Sequence, residues 1–246
     1  MVWQKEYFNE IDSTNRYLKE LAATGAPEGT VIIANRQTAG RGRLGRSFFS
    51  PEDKGIYMSI LLRPELELQR SVLITSMAAV AVAGAIEAVS GTTAQIKWVN
   101  DIFVNKKKTC GILTEAGIDA QKGTLEYAVL GIGVTVGTME FPEELKEIAT
   151  SVSNECGFEV EKEVLIEEIL KQLEQWYPTL WTGEFLEESK QRSILLGKEI
   201  LVVDTHTEGG SYTAMAVDMD ELGHLIIERN GGREILNSGE VSIRFT

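Results

Sequence analysis

The chain has 246 residues, with 24 lysines and arginines against 37 aspartates and glutamates, a formal net charge of −13 at pH 7. Its 43% of hydrophobic residues is enough for a substantial core, which excludes a disordered protein. The acidic balance argues against a general binder of nucleic acid or of anionic membranes, because such binders depend on lysine and arginine. Two cysteines exclude a disulfide scaffold and predict a reducing, cytoplasmic location.

The first part of the chain predicts strands and helices in alternation. A strand near Lys5–Asn9 precedes four residues of N-cap type, 12–15, which open a helix that ends at Gly25. Apolar runs at Thr30–Ala34 and Ile56–Leu62 predict two buried strands. The order of these elements is typical of a sheet covered by helices.

A helix is predicted from about Ser71 to Val89, and its first part carries no charge. That uncharged stretch is shorter than the roughly 20 residues of a membrane-spanning helix. The charged N-terminus has no apolar segment of the kind found in secretory signals. We therefore expect a buried core helix and no membrane attachment.

The remaining elements predict an α+β fold, a mixed β-sheet with helices followed by a small β-barrel. We place the domain boundary between residues 195 and 196, giving domains 1–195 and 196–246, since short strands and glycine turns dominate from Gly197 onward. The predicted elements are strands at Gln95–Val99, Thr109–Ala116 and Leu125–Val136, helices from Pro142 to Val152 and at Val164–Trp176, and five short strands after Gly197.

A loop at 35–53 contains G-x-G-x-x-G at Gly40, Gly42 and Gly45. A dinucleotide fingerprint must open a helix, but the run after Gly45 is extended or turn-like, so that interpretation is disfavoured. The loop holds arginines and no acidic residue until Glu52, which favours anion binding over a merely solvated loop. Its arginines are Arg36, Arg41, Arg43 and Arg46.

Three further segments carry candidate ligand residues, each with an ordinary structural alternative. Asn100 and Asp101 end a strand and are typical of a turn. Lys108 closes a lysine run typical of a hairpin tip, yet the apolar strand after it favours a side chain directed into the fold. Gly131 and Gly133 interrupt an apolar strand, which indicates close approach by a ligand or backbone, or else a bulge.

Together these segments resemble the catalytic domain of biotin protein ligases, and the resemblance extends over the whole chain. It implies a class II aminoacyl-tRNA synthetase-like catalytic domain followed by an SH3-like barrel. Only residues 1–12 precede the first motif, which predicts the monofunctional form without an N-terminal DNA-binding domain. The matching segments are Ser13-Thr14-Asn15, residues 37–43, Lys97-Trp98-Val99-Asn100-Asp101, Lys108 with Gly111-Ile112-Leu113, Gly131-Ile132-Gly133 and residues 238–244.

The resemblance implies that biotin is activated with Mg-ATP as biotinyl-AMP and transferred to a lysine of a biotin carboxyl-carrier protein. Lys108 and Arg43 are then the catalytic residues, and no redox cofactor is needed. The residues implied for biotin are Ser13, Thr14, Asn15, Gln37, Gly40, Arg41, Gly42, Arg43, Lys108, Gly111, Gly131 and Gly133. Those implied for ATP are Arg43, Arg46, Phe48, Lys97, Asn100, Asp101, Thr135 and Arg244, with Asp101 also at Mg²⁺.

The chain departs from the family pattern at three positions. Val99 stands where proline is usual, and Phe48 stands where many members have tryptophan. Thr135 replaces an asparagine, so one hydroxyl stands where an amide offered both a donor and an acceptor. Nucleotide affinity or choice is therefore expected to differ.

Two alternatives stay open at this point. One is a lipoate or octanoate ligase or transferase of the same fold, against which the arginine-glycine loop and the barrel argue. The other is a biotin or adenylate sensor without turnover, for which Thr135 leaves room. Neither DNA nor a membrane is expected as a partner, a homodimer is compatible with the family, and Glu240 and Arg244 are equally compatible with a role at the site and with ordinary strand charge.

Overall fold

The computed structural model describes residues 1–203, 210–237 and 240–242, the last three through their backbone. The strands are β1 Gln4–Ile11, β2 Thr30–Gln37, β3 Gly55–Leu62, β4 Ala94–Lys97, β5 Asp101–Val104, β6 Lys107–Asp119, β7 Thr124–Thr135, β8 Lys198–Val203, β9 Ser211–Met219, β10 Leu225–Arg229, β11 Gly232–Leu236 and β12 Glu240–Ser242. The helices are α1 Thr14–Ala23, α2 Val72–Ser90, α3 Val152–Cys156, α4 Lys162–Trp176 and α5 Phe185–Gln191.

The first seven strands form one mixed sheet in the order β1-β2-β3-β7-β6-β5-β4. β1 and β2 run parallel and are joined through α1, which provides the crossover that a parallel pair needs, and the other pairs are antiparallel. The predicted mixed sheet with helices is thus confirmed.

Helices cover both faces of this sheet. Side chains alternate across a strand, so Ile60 on β3 faces the main core with α2 and α4, while Leu61 faces Leu18 of α1. β3 is buried along its whole length, which explains its continuous apolar sequence. The α1 face of the central strands, beyond the end of the helix, is where the candidate site lies.

The long apolar helix is a core element, as predicted. Leu68–Ser90 is long and apolar enough to cross a membrane by length and composition, but 67% of its 18-residue window is buried inside the fold. It packs against α4 and α5 and under the first sheet.

Two predictions of secondary structure were wrong: one predicted helix does not form, and one strand was not predicted. No helix runs from Pro142 to Val152: the segment forms turns, and its end pairs with β6 through Lys108 N–H to the Ile148 carbonyl (2.9 Å) and Thr150 N–H to the Lys108 carbonyl (2.9 Å). Tertiary pairing overrides the local helix signal there. β5 was missed because Asn100 and Asp101 read as a turn, whereas the turn ends at Asn100 and Asp101 opens a four-residue strand.

The C-terminal strands form a separate antiparallel sheet in the order β11-β10-β9-β8-β12. The predicted run of five short strands after Gly197 is therefore confirmed. Arg244, predicted at the nucleotide, lies outside the described residues, and of Glu240 only the backbone is described.

Candidate active site

The floor of the site is one row of residues that crosses four strands. Tyr57 on β3 pairs with Gly133 on β7, Gly133 with Gly111 on β6, and Gly111 with Asp101 on β5. Paired residues project to the same side of a sheet, so the row has a tyrosine at one end, a carboxylate at the other and two glycines between them. The two glycines leave a depression in the sheet.

Protein side chains lie over these glycines. A methyl group on Gly133 would be 2.5 Å from Phe48 Cε1, and one on Gly111 would be 3.2 Å from Phe48 Cε2 and 3.3 Å from Lys108 Nζ. A methyl group on Gly131 would be 2.2 Å from Asn15 Oδ1. Pairing is continuous through both β7 glycines, so the bulge alternative is wrong and close approach is the reason for the glycines.

The end of the cleft next to α1 is neutral and hydrogen-bonded. Ser13 caps α1 by accepting from the Arg16 N–H (3.4 Å), which places Thr14 and Asn15 at the first turn of the helix. The Gln37 side-chain carbonyl accepts from the Thr14 backbone N–H at 2.9 Å. β2 extends to Gln37, three residues beyond the predicted strand, and so presents this amide to the cleft.

A buried serine joins this group from the floor. The Ser59 hydroxyl lies 2.6 Å from Asn15 Oδ1 and 2.7 Å from Thr14 Oγ1. Asn15 Oδ1 only accepts, so the single Ser59 hydrogen goes to it, and the hydrogen of the Thr14 hydroxyl is shared between Ser59 Oγ and Gln37 Oε1, which lies 3.1 Å away. The lone pairs of the Thr14 hydroxyl are then available to a ligand N–H.

Glu115 fixes the other side of Asn15. Asn15 Nδ2 donates to Glu115 Oε2 (3.1 Å) and to the Leu113 carbonyl (3.2 Å), and Lys19 Nζ lies 2.7 Å from Glu115 Oε1. Burial acts to raise the pKa of Glu115, but hydrogen bonds from Lys19 and Asn15 and the charges of Lys19 and Arg41 lower it overall. Glu115 is therefore a carboxylate that orients the Asn15 amide.

The glycine-arginine loop closes on itself above the floor. Gly42 N–H donates to the Arg46 carbonyl (2.7 Å) and Phe48 N–H donates to the Gly40 carbonyl (3.0 Å). Between them is a 3₁₀ turn in which Leu44 and Gly45 have φ of 55° and 74°. The loop opens no α-helix, in agreement with the rejection of a dinucleotide fingerprint.

Three polar contacts define the cationic end. Arg43 Nη1 donates to Asn100 Oδ1 at 3.0 Å, and Asn100 Nδ2 donates to the Ile112 carbonyl at 3.1 Å. Lys108 Nζ lies 2.7 Å from Asp101 Oδ1. The hairpin tip is formed by Asn105 and Lys106, and Lys108 enters the cleft as its apolar strand predicted.

The structure brings most of the predicted residues into one cleft. Gly40 and Thr135, both in the described part of the chain, do not line it, and Thr135 is buried at the end of β7. Arg36, counted in the basic loop, instead lies beside β1 in an ion pair with Glu10 (2.9 Å). The predicted residues that line the cleft are Ser13, Thr14, Asn15, Gln37, Arg41, Gly42, Arg43, Arg46, Phe48, Lys97, Asn100, Asp101, Lys108, Gly111, Gly131 and Gly133.

Sequence reasoning missed Tyr57, Ser59 and Glu115, which shape this site through their contacts with Phe48, Thr14 and Asn15. A lone serine in the eight-residue buried strand Gly55–Leu62 was a usable signal, since a buried hydroxyl needs partners. Tyr57 donates to the Pro51 carbonyl (2.8 Å) and meets Phe48 edge-on at 6.5 Å between ring centroids. Glu115 gave no sequence signal, because its role depends on the packing of α1 against β6.

The described residues offer neither a reactive thiol near the cleft nor a metal site made of several protein ligands. Burial raises the pKa of the Cys110 thiol far above its ordinary value, so this cysteine is an inert core residue, as predicted. In the described ranges no three His, Cys, Asp or Glu side chains are grouped to hold a metal. Asp101 supplies a single carboxylate, which suits Mg²⁺ bound mainly by a nucleotide's phosphates.

Two family models match the chain. The biotin/lipoate A/B protein ligase family matches residues 7–135, and the biotin protein ligase C-terminal domain matches residues 195–244. The bifunctional ligase/repressor BirA of Bacillus subtilis is 37% identical over 243 residues, covering 96% of this chain and 73% of BirA. The biotin–[acetyl-CoA-carboxylase] ligase of Mycobacterium tuberculosis is 29% identical, over 97% of this chain and 88% of its own.

A solved structure agrees with these matches. The biotin protein ligase from Aquifex aeolicus in complex with biotin and ATP has a TM-score of 0.83 and 30% identity, and the match covers 99% of each chain. The fold, the cleft and both family models therefore lead to one conclusion: the chain belongs to the biotin/lipoate A/B protein ligase family and carries the C-terminal domain of the biotin protein ligases.

Proposed function

We propose that this protein is a ligase that activates biotin with ATP as biotinyl-5′-AMP and transfers it to a lysine of a biotin carboxyl-carrier domain. One observation carries the proposal: a single cleft has a neutral hydrogen-bonding end at α1 and a cationic end at Lys108 and Arg43. Biotin has the same polarity, with a neutral ureido ring at one end and a carboxylate at the other.

The neutral end suits the ureido ring. Its N–H groups need acceptors, and the Thr14 hydroxyl has lone pairs available because its own hydrogen is directed at Ser59 and Gln37. Its carbonyl needs donors, which the Ser13 hydroxyl and the backbone N–H of Arg41 offer from the cleft wall. Asn15, held by Glu115, contributes chiefly by fixing this arrangement.

The cationic end suits the first chemical step. A biotin carboxylate oxygen attacks the α-phosphorus of ATP, a new P–O bond forms, the bond from the α-phosphorus to the bridging oxygen breaks, and pyrophosphate leaves. Two anions must approach each other for this, so the Lys108 ammonium and the Arg43 guanidinium offset the repulsion and the charge that develops. Asp101 positions the ammonium at 2.7 Å.

The second step uses the same cations on the leaving group. The carrier lysine, as a free amine, attacks the carbonyl carbon of biotinyl-AMP, an amide forms, the C–O bond to AMP breaks, and the amine loses a proton. Arg43 and Lys108 stabilise the departing phosphate. The loop that carries Arg43 covers the cleft, which protects the mixed anhydride from water until the acceptor arrives.

Magnesium enters this proposal with the nucleotide. Asp101 is the carboxylate that would hold it, and Mg²⁺ would neutralise charge on the phosphates. Arg46, Lys97, Asn100 and Phe48 line the same end of the cleft, and there we place the nucleotide.

The competing substrate is lipoate, which the family name includes. The match of residues 195–244 to the biotin protein ligase C-terminal domain supports biotin. The polar set around Thr14 also supports biotin, because the dithiolane ring of lipoate has no N–H or carbonyl to pair with it.

Transfer to an acceptor tests the proposal. The protein is incubated with ATP, Mg²⁺, biotin and a purified biotin carboxyl-carrier domain, and the acceptor is weighed by mass spectrometry. We expect the mass of one biotinyl group on one lysine, and none on an acceptor with that lysine changed to arginine. Modification with lipoate in place of biotin, or none with either acid, would contradict it.

A further inference from the structure

Trp98 lies between the cleft and the C-terminal sheet. It is 4% exposed, and its indole N–H donates to the backbone carbonyl of Gly223 at 2.9 Å, across 125 positions of sequence. The bond is buried, so losing the donor leaves a carbonyl without a partner. Lys97 and Trp98 themselves line the cleft.

The Gly223 carbonyl is rigidly placed. Gly223 has φ of +78°, and a methyl group there would lie 3.2 Å from Ser76 Oγ and 3.3 Å from Leu73 Cδ2 on α2. The turn is closed by Asp220, whose side chain accepts from the backbone N–H groups of Leu222 (2.9 Å) and His224 (2.8 Å). The acceptor of the indole bond is thus fixed by α2 and by its own turn.

Apolar packing accompanies this hydrogen bond. Trp98, Val99 and Phe103 of the first sheet form one buried cluster with residues of the C-terminal sheet, among them Leu225 and Ile227. The cluster is separate from the main core of the first sheet. The turn between β4 and β5 is therefore attached to the C-terminal sheet on one side.

On its other side the same turn carries cleft groups. Asn100 accepts from Arg43 and holds Ile112 through two bonds, including Ile112 N–H to the Asn100 carbonyl at 2.8 Å. Asp101 lies beside Lys108 at 2.7 Å. A shift of residues 97–101 would move the Asn100 amide and the Asp101 carboxylate together.

We propose that Trp98 is a positioning residue: through its indole bond to Gly223 it fixes the turn 97–101, so that the C-terminal sheet sets the positions of Asn100 and Asp101. This deepens the proposed function and rests on it, because the nucleotide is placed at that end of the cleft. At the biotin end, Thr14 and Asn15 bond to residues outside this turn, namely Gln37, Ser59, Leu113 and Glu115.

The test is Trp98→Phe, which keeps an aromatic ring in the cluster and removes the N–H. Trp181→Phe is the matched control, because Trp181 is 45% exposed and lies outside the cleft. In biotin-dependent pyrophosphate exchange we expect KM for ATP to rise about 3- to 10-fold in Trp98→Phe, the size of one lost buried hydrogen bond. The Kd for biotin without ATP should change by less than about twofold.

A purely structural role predicts another pattern. KM for ATP unchanged, or KM for ATP and Kd for biotin rising in parallel with a fall in Tm, would overturn the proposal. A second readout is independent of activity: hydrogen exchange at the Ile112 amide, which bonds to the Asn100 carbonyl, should be faster in Trp98→Phe and unchanged in Trp181→Phe. Equal hydrogen-exchange rates at this amide in the unmutated protein, Trp98→Phe and Trp181→Phe would also overturn the proposal. If the unmutated protein shows no biotin-dependent pyrophosphate exchange, only the proposed function is refuted. The hydrogen-exchange rate of the Ile112 amide then still decides whether Trp98 fixes the turn.

Discussion

Ser59→Ala removes the hydroxyl that joins Thr14 to Asn15. Ser59 is fully buried, and its oxygen lies 2.6 Å from Asn15 Oδ1 and 2.7 Å from Thr14 Oγ1. Alanine fits the strand without strain, but the Asn15 oxygen loses its donor and the Thr14 hydroxyl keeps only the Gln37 side-chain oxygen as a partner. The change therefore acts on hydrogen bonds and hardly on volume.

Leaving a buried polar atom unpaired costs about 1–3 kcal/mol. We expect the free energy of unfolding of Ser59→Ala to fall by that amount. Ser76→Ala is the matched control, since Ser76 is 2% exposed and its hydroxyl has no hydrogen-bond partner among the described residues. Its removal should change the free energy of unfolding by less than about 0.5 kcal/mol.

The same variants separate stability from ligand binding. With Gln37 as its remaining partner, the Thr14 hydroxyl reorients, so we expect KM for biotin to rise about 5- to 30-fold in Ser59→Ala, with KM for ATP unchanged. Urea unfolding gives the stability, and biotin-dependent pyrophosphate exchange gives the KM values. Equal destabilisation by both alanines, or an unchanged KM for biotin in Ser59→Ala, would refute the role assigned to Ser59.

Two more predictions follow from the floor and from the charge beside it. In Gly133→Ala the added methyl would lie 2.5 Å from Phe48 Cε1, so we expect kcat/KM in the pyrophosphate-exchange assay to fall about 5- to 100-fold. The double variant with Phe48→Ala should recover part of this loss. A double variant no more active than Gly133→Ala would contradict the contact. In Lys19→Met the pKa of Glu115 should rise toward the ordinary range of a glutamate, because the hydrogen bond and the charge of Lys19 are lost. The lowered pKa stabilises the fold at pH values above the ordinary glutamate pKa, and this gain is lost as the pH falls through the folded pKa. The stability deficit of the variant, measured by urea unfolding, should therefore be present at about pH 7 and shrink as the pH is lowered below about 4. A deficit equal at both pH values would show that the ion pair is not its cause.

Sequence patterns predicted the parts of the fold that depend on local alternation and composition. The buried strand at 56–62, the apolar helix α2 and the five C-terminal strands are each defined by their own residues, and each was found. The segment 142–152 could not be predicted in this way, because its conformation is set by backbone bonds to Lys108 on another element. The short strand β5 likewise exists through its pairing with β4 and β6.

In the site, too, local sequence patterns predicted some features, whereas others depend on long-range packing. Charge and glycine spacing pointed to the loop and to Lys108, and the structure brings both into the cleft. The glycines of β7 were expected to leave room for a ligand, but their register places them under Phe48 and Asn15. Register and helix packing are long-range properties, so neither this nor the Glu115 contact with Asn15 could be read from a single sequence.

The central claim is that the cleft couples biotin to ATP, and biotin-dependent exchange of labelled pyrophosphate into ATP tests it most directly. The protein is given ATP, Mg²⁺ and labelled pyrophosphate with biotin, with lipoate or with neither acid. We predict exchange with biotin alone, and its loss in Lys108→Gln, whose side chain is neutral. Exchange that requires lipoate, or no exchange with either acid despite measurable biotin binding, would contradict the account.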